Sequence, residues 1–99
     1  MSTSLSVVIP AFNEEATLVA VTQKILAVPY LLEVVIVDDC SSDRTGDIAE
    51  ELARLYPQVK VLHHQTNRGK TEALKTGFAN TTGDIVIVMF RMMSPRNAL

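Results

Sequence analysis

The sequence predicts an α/β fold, a three-layer structure built on a parallel sheet in the order β-α-β-α-β-α-β. Four short runs rich in Val and Ile (Leu5 to Ile9, Val34 to Val37, Val59 to Leu62, Ile85 to Phe90) do not alternate apolar with polar, which is how strands covered on both faces read. Between them lie three segments with helical spacing. Strand and helix thus alternate along the chain, the pattern of a parallel sheet with helical crossovers.

Taken in order, the first strand runs into Pro10, and the first helical stripe is Leu18, Val21, Ile25 and Val28, stopped by Pro29. Asn13 is expected to cap that helix, with Glu14 and Glu15 in its first turn facing the positive end of the helix dipole. After the second strand, Ser41, Ser42, Asp43 and Thr45 offer acceptors ahead of a second helix that groups Ile48, Leu52 and Leu55 and stops before Pro57. The third helix, roughly Thr71 to Asn80, puts Leu74 and Phe78 on one face, and Gly83 breaks the chain before the fourth strand. The stretch from Arg91 to Leu99 has no period and reads as a loose end.

A length of 99 residues leaves room for one domain. A hydrophobic share of 47% with 20% charged residues is that of a globular chain. A net charge of −2, no Trp and only three Phe and two Tyr argue against a nucleic-acid binder, which needs a basic face and stacking platforms. The single Cys40 excludes an internal disulfide, and with His63 and His64 it is too poor a set for zinc. Met1-Ser-Thr-Ser does not open a secretory signal, and no apolar run approaches the ~20 residues of a membrane span. The expectation is a soluble, cytoplasmic domain.

Ligands of open parallel sheets bind beyond the carboxyl ends of the strands, near a switch in strand order. Three polar stretches lie there: Pro10-Ala-Phe-Asn-Glu-Glu15, Asp38-Asp-Cys-Ser-Ser-Asp-Arg-Thr45 and Gln65-Thr-Asn-Arg-Gly-Lys70. Neither G-x-G-x-x-G nor G-x-x-x-x-G-K-[ST] occurs, because position 64, where a phosphate loop ending at Gly69-Lys70-Thr71 needs its first glycine, is His. The acidic pair Asp38-Asp39 has two readings: acceptors for a nucleobase N–H and ribose hydroxyls, or a strand end that feeds a helix cap.

In combination these stretches are more specific. Ser6-Val-Val-Ile-Pro-Ala-Phe-Asn-Glu-Glu15, Val35-Ile-Val-Asp-Asp-Cys-Ser-Ser-Asp-Arg-Thr45, Asn67-Arg-Gly-Lys-Thr-Glu-Ala-Leu74 with Gly77, and Thr82-Gly-Asp-Ile-Val-Ile-Val88 resemble the successive landmarks of family 2 glycosyltransferases, inverting enzymes of the GT-A fold. The spacing around Asn67 to Lys70 is most similar to the polyprenyl- and dolichol-phosphate sugar transferase branch. The resemblance implies that residues 5–90 are the Rossmann-like, nucleotide-sugar-binding half of a GT-A domain, followed at 91–99 by a tail foreign to the family. It implies a nucleoside-diphosphate sugar, UDP- or GDP-linked, as ligand. Pro10, Phe12 and Glu14 would floor the nucleotide pocket, Phe12 standing where the family often has Tyr. Val37, Asp38 and Asp39 would line base and ribose, whereas Asp43 and Thr45 would fold the loop and cap the second helix. Arg68 and Lys70 would either reach the diphosphate or be solvated loop charges.

The departure from the family falls after the fourth strand. A D-x-D motif there holds Mg²⁺ or Mn²⁺ on the diphosphate, but this chain reads Met89-Phe-Arg-Met-Met-Ser-Pro95, with no carboxylate after Asp84. No metal ligands and no catalytic residues are therefore assigned, and the chain is expected to be truncated and inactive alone. Met92-Met93 must be encoded ATGATG, and a shifted frame reads at least one Asp there, so a frameshift is one expected origin of the tail. Two other readings compete. One is a ligand-free structural or interaction fragment; independently of it, the apolar fourth strand is expected to leave an exposed edge through which the chain self-associates. The other, a receiver-like signalling domain, wants its acidic pair after strand 1, whereas here the pair follows strand 2 and strand 3 ends in His63-His64.

Overall fold

The computed structural model describes residues 3–90, so the expected loose end from Arg91 to Leu99 lies outside the described residues. Among them the order is β1 (Leu5–Ala11), α1 (Leu18–Leu26), β2 (Leu31–Asp38), α2 (Thr45–Leu55), β3 (Val59–His63), α3 (Lys70–Ala79) and β4 (Ile85–Val88). The strands form one parallel sheet in the order β3-β2-β1-β4, with Val7 opposite both Val34 and Ile87. The chain therefore reverses its direction of travel across the sheet at β1, the switch point at which such sheets hold ligands.

The uninterrupted apolar runs of β1 and β2 are explained by the layers on either side. Val7, Ile9, Val34 and Ile36 point to one face, where Leu18, Val21 and Ile25 of α1 and Ala49 and Leu52 of α2 cover them. Val8, Val35 and Val37 point to the other, against Ala73 of α3. Residues Val34 to Val37 are all 0% exposed. Cover on both faces holds for these two central strands and not for the edges: β4 is exposed from Ile85 (50%) to Ile87 (46%), and only Val88 is partly covered.

Three helical expectations are corrected. Val28 is exposed because α1 ends at Leu26, and Leu55 because it is the last residue of α2. Phe78 is exposed because α3 meets the sheet through Ala73 and Gly77 instead, Gly77 lying so close that a Cβ there would overlap Val8 Cγ1. Asn13 does not cap α1, nor do Glu14 and Glu15 occupy its first turn. The helix starts at Leu18 after a turn in which Thr17 N–H and Leu18 N–H donate to Glu14 O.

At the amino end of the sheet, Glu33 of β2 is 3% exposed. Its carboxylate accepts from Ser6 Oγ (2.6 Å) on β1, from Thr82 N–H (2.6 Å) and Oγ1 (3.1 Å) before β4, and pairs with Lys60 Nζ (2.6 Å) on β3. Burial alone would push its pKa up, but the ammonium and hydroxyl and amide donors hold it at about 2. One side chain thus ties all four strands at one end. No helix among the described residues is long and apolar enough to cross a membrane.

Candidate functional site

At the opposite, carboxyl end of the sheet, two loops are laced together by short polar side chains. Asn13, in the left-handed region (φ 53°), donates its N–H to Ser41 Oγ (3.0 Å) and accepts on Oδ1 from Ser42 N–H (2.9 Å) and Asp43 N–H (3.3 Å). Glu14 N–H donates to Thr45 Oγ1 (2.8 Å), and Asp43 Oδ1 accepts from Thr45 N–H (2.9 Å). Asp43 and Thr45 fold the loop, as expected of them, but the N-cap of α2 is Arg44, which makes no side-chain cap bond. This lacing fixes where Pro10 to Glu14 stand relative to β2.

The parallel register then continues one residue past each strand, through Asp39 N–H to Ala11 O (2.9 Å) and His64 N–H to Asp38 O (2.9 Å). Side chains alternate across a strand, so the acidic pair and the histidine pair are sorted onto opposite faces. On the α2 face, Asp38 accepts from Ser41 N–H (3.1 Å) and bonds His63 Nδ1 (2.9 Å), whose other ring nitrogen meets Glu50. Burial opposes the charge on His63, but Glu50 and Asp38 outweigh it and raise the pKa. On the α3 face, Asp39 Oδ1 accepts from His64 Nδ1 (2.7 Å) and Arg68 N–H (2.9 Å), and Oδ2 from Gly69 N–H (2.9 Å). Burial pushes the Asp39 carboxyl up, and these donors hold it below its ordinary value. Gly69 has φ 90°, a left-handed conformation that lets the chain turn into α3 while its N–H still faces Asp39.

Beside Asp39 a cleft of about 440 Å³ opens at the switch point. Pro10, Ala11, Phe12 and Glu14 form its β1 side; Asn67, Gly69, Lys70 and Ala73 form its α3 side, and Phe90 closes it beyond β4. The Lys70 ammonium lies 4.8 Å from the centroid of the Phe90 ring, a cation–π contact at the mouth. Phe12 and Phe90 are 46% and 45% exposed, so both rings present apolar surface at the cleft.

The structure brings Pro10, Phe12, Glu14, Asp39 and Lys70 together around this cleft. It does not bring in the other three residues expected there. Val37 is 0% exposed in the core against α3, Asp38 turns to the α2 face, and the Arg68 side chain reaches Glu72 (3.8 Å) on the surface. Asn67 and Gly69 stood within a recognised motif but were given no role. Phe90 carried no sequence signal, being read as the end of strand 4, which stops at Val88. Cys40 is an exposed loop residue, and His63 and His64 point to opposite faces, each tied to one member of the acidic pair.

The cleft offers acceptors, one cation and apolar walls, a set suited to an aromatic, hydroxyl-bearing, anionic ligand such as a nucleotide. It does not fit a divalent cation. Among the described residues no group of three or more His, Cys, Asp or Glu is arranged to hold one, and Met89 and Phe90 after β4 offer no hard oxygen donor. The positions of the expected frameshift lie outside the described residues.

The model of the family described as Glycosyl transferase family 2 matches residues 6–89. The chain is 39% identical over 87 residues to the dolichol-phosphate mannosyltransferase of Pyrococcus furiosus, an alignment covering 86% of this chain and 24% of that one. In structure it is similar to a mannosyltransferase from Pyrobaculum calidifontis in complex with GDP-Man and Mn²⁺, with TM-score 0.77, 29% identity, and coverage of 87% and 26%. It is likewise similar to Staphylococcus aureus TarS 1–349 in complex with UDP-GlcNAc, with TM-score 0.77, 27% identity, and coverage of 88% and 26%. The chain thus spans about a quarter of the length of each of these relatives.

Proposed function

The chain belongs to glycosyl transferase family 2, and from that membership we propose that residues 5–90 form the nucleotide-sugar-binding part of an inverting glycosyltransferase. The observation that carries the proposal is the cleft at the switch point, where Asp39, Phe12, Phe90 and Lys70 converge. A carboxylate has about four acceptor positions. Internal donors fill three of them on Asp39, so Oδ2 can take one more, from a nucleobase N–H or a ribose hydroxyl. The exposed rings of Phe12 and Phe90 would pack against base or sugar. Lys70 would supply positive charge to a diphosphate. The donor is a UDP- or GDP-linked sugar, as in the solved relatives, and a polyprenyl phosphate is the acceptor by likeness to the dolichol-phosphate enzyme.

The role proposed for these residues is binding, because among the described residues no group of three or more His, Cys, Asp or Glu is arranged to hold a metal. Calorimetric titration with UDP and GDP tests it. Weak saturable binding is expected, reduced by about ten- to hundredfold in Asp39→Ala through loss of an acceptor for a buried donor and weakened by salt in proportion to Lys70. Binding unchanged in both Asp39→Ala and Lys70→Ala would overturn the assignment. The uncovered β4 supports one further proposal, that the chain self-associates through this strand.

A further inference from the structure

We infer that His64 is a positioning residue of the cleft, acting through Asp39 on the loop that carries Asn67, Gly69 and Lys70; this rests on the nucleotide-binding reading. The His64 side chain is 6% exposed and touches no cleft surface. Its two ring nitrogens are both engaged, Nδ1 with Asp39 Oδ1 (2.7 Å) and Nε2 with Thr76 Oγ1 (2.8 Å) on the second turn of α3. The Asp39 carboxylate only accepts, so Nδ1 carries a proton toward it. His64 therefore bridges the end of β2 to the body of α3 from behind the cleft.

What this bridge controls is the aim of one carboxylate. Asp39 grips the chain ahead of α3 by Arg68 N–H and Gly69 N–H (2.9 Å each), and its carbonyl accepts from Asn67 Nδ2 (3.4 Å). Gly69 and Asn67 line the cleft, and Lys70 follows directly. With no His64, Asp39 loses its one side-chain donor and keeps only the Arg68 and Gly69 amides, so the buried carboxylate is held by the loop alone and no longer tied through His64 to the body of α3. The loop is then free to move even though no residue touching the ligand has been changed. The other acid–histidine pair cannot substitute, because Asp38 and His63 are on the α2 face.

The side-chain amide of Asn places a donor where Nδ1 stands, and that of Gln reaches instead toward the place of Nε2. His64→Ala, His64→Asn and His64→Gln of the 99-residue chain should be compared by amide hydrogen exchange and by titration with UDP and GDP. His64→Ala is expected to speed exchange at Arg68 and Gly69 and to weaken nucleotide binding, each by about tenfold or more. His64→Asn should restore both, and His64→Gln neither. Should His64→Ala fail to fold, the Asn and Gln variants still decide the matter. Equal rescue by Asn and Gln, or slow exchange at Gly69 in His64→Ala, would overturn the inference. Absence of nucleotide binding by the unaltered chain would overturn the proposed function, while the exchange pattern would still judge His64.

Discussion

A carboxylate at 3% exposure survives in β2 because Lys60, Ser6 and Thr82 all converge on Glu33. Its folded pKa of about 2 lies below the ordinary value of 4.5, so its stabilisation is complete above pH 4.5 and is lost as pH falls toward 2. A shift of that size corresponds to about 3 kcal/mol. Asp39 and Asp43, whose pKa values are also lowered, add in the same direction. Urea unfolding at pH 6 and pH 3 should show a marked acid loss, and Glu33→Gln should be less stable at pH 6 with a shallower dependence on pH. An unchanged slope in Glu33→Gln would place the acid sensitivity elsewhere. Nothing in the sequence marked Glu33, because a lone acid inside an apolar run has no local motif; its partners come from positions 6, 60 and 82.

At the scale of elements, α3 is the least conventional. Its contact with the sheet is made by Ala73 and Gly77, small residues that bring helix backbone against Val8 and Val35. Gly77→Ala adds a methyl with no room to sit. It should destabilise by about 1–3 kcal/mol despite the better helix propensity of Ala, measured as a fall in the urea midpoint. A neutral or stabilising effect would mean that α3 slides freely on the sheet. The helix stripe read from large apolar residues holds for Leu74, which packs partly buried against this core, and fails for the exposed Phe78; it also misses the close approach at Gly77, since a small-residue face has almost no hydrophobic signal. The strands were legible because residues such as Val34 to Val37 must be apolar on both sides. Of the site, the acidic pair and its loops were legible as a cluster of polar residues at strand ends. Adjacent residues of a strand face opposite ways, but which histidine meets which carboxylate was not legible, because that depends on the register of β2 against β3. Asn13 was misjudged for a similar reason: its acceptor serves Ser42 and Asp43, 29 and 30 residues away, rather than the next helix.

For the whole molecule, the open side of β4 is the main liability. Ile85, Val86 and Ile87 are all more than a third exposed, and among the described residues no strand pairs with the outer edge. Exposed apolar edges recruit other chains. Sedimentation over a range of concentrations should show association that falls in Ile87→Lys, and a concentration-independent monomer would refute the self-association proposed above. The strand order has a consequence of another kind. The larger core uses residues from Val7 to Val59 only, and none from α3 or β4. On the ribosome that core can close while α3 and β4 are still unmade. β4 pairs with β1 across some 80 residues of chain, as Ser4 and Asp84 do, and long separations are slow to close. Protease protection of nascent chains of increasing length should therefore appear in β1 to β3 before β4 is complete. At the heart of the sheet, β1 is made before the other described strands, yet it acquires its second neighbour only after β2 has acquired its own.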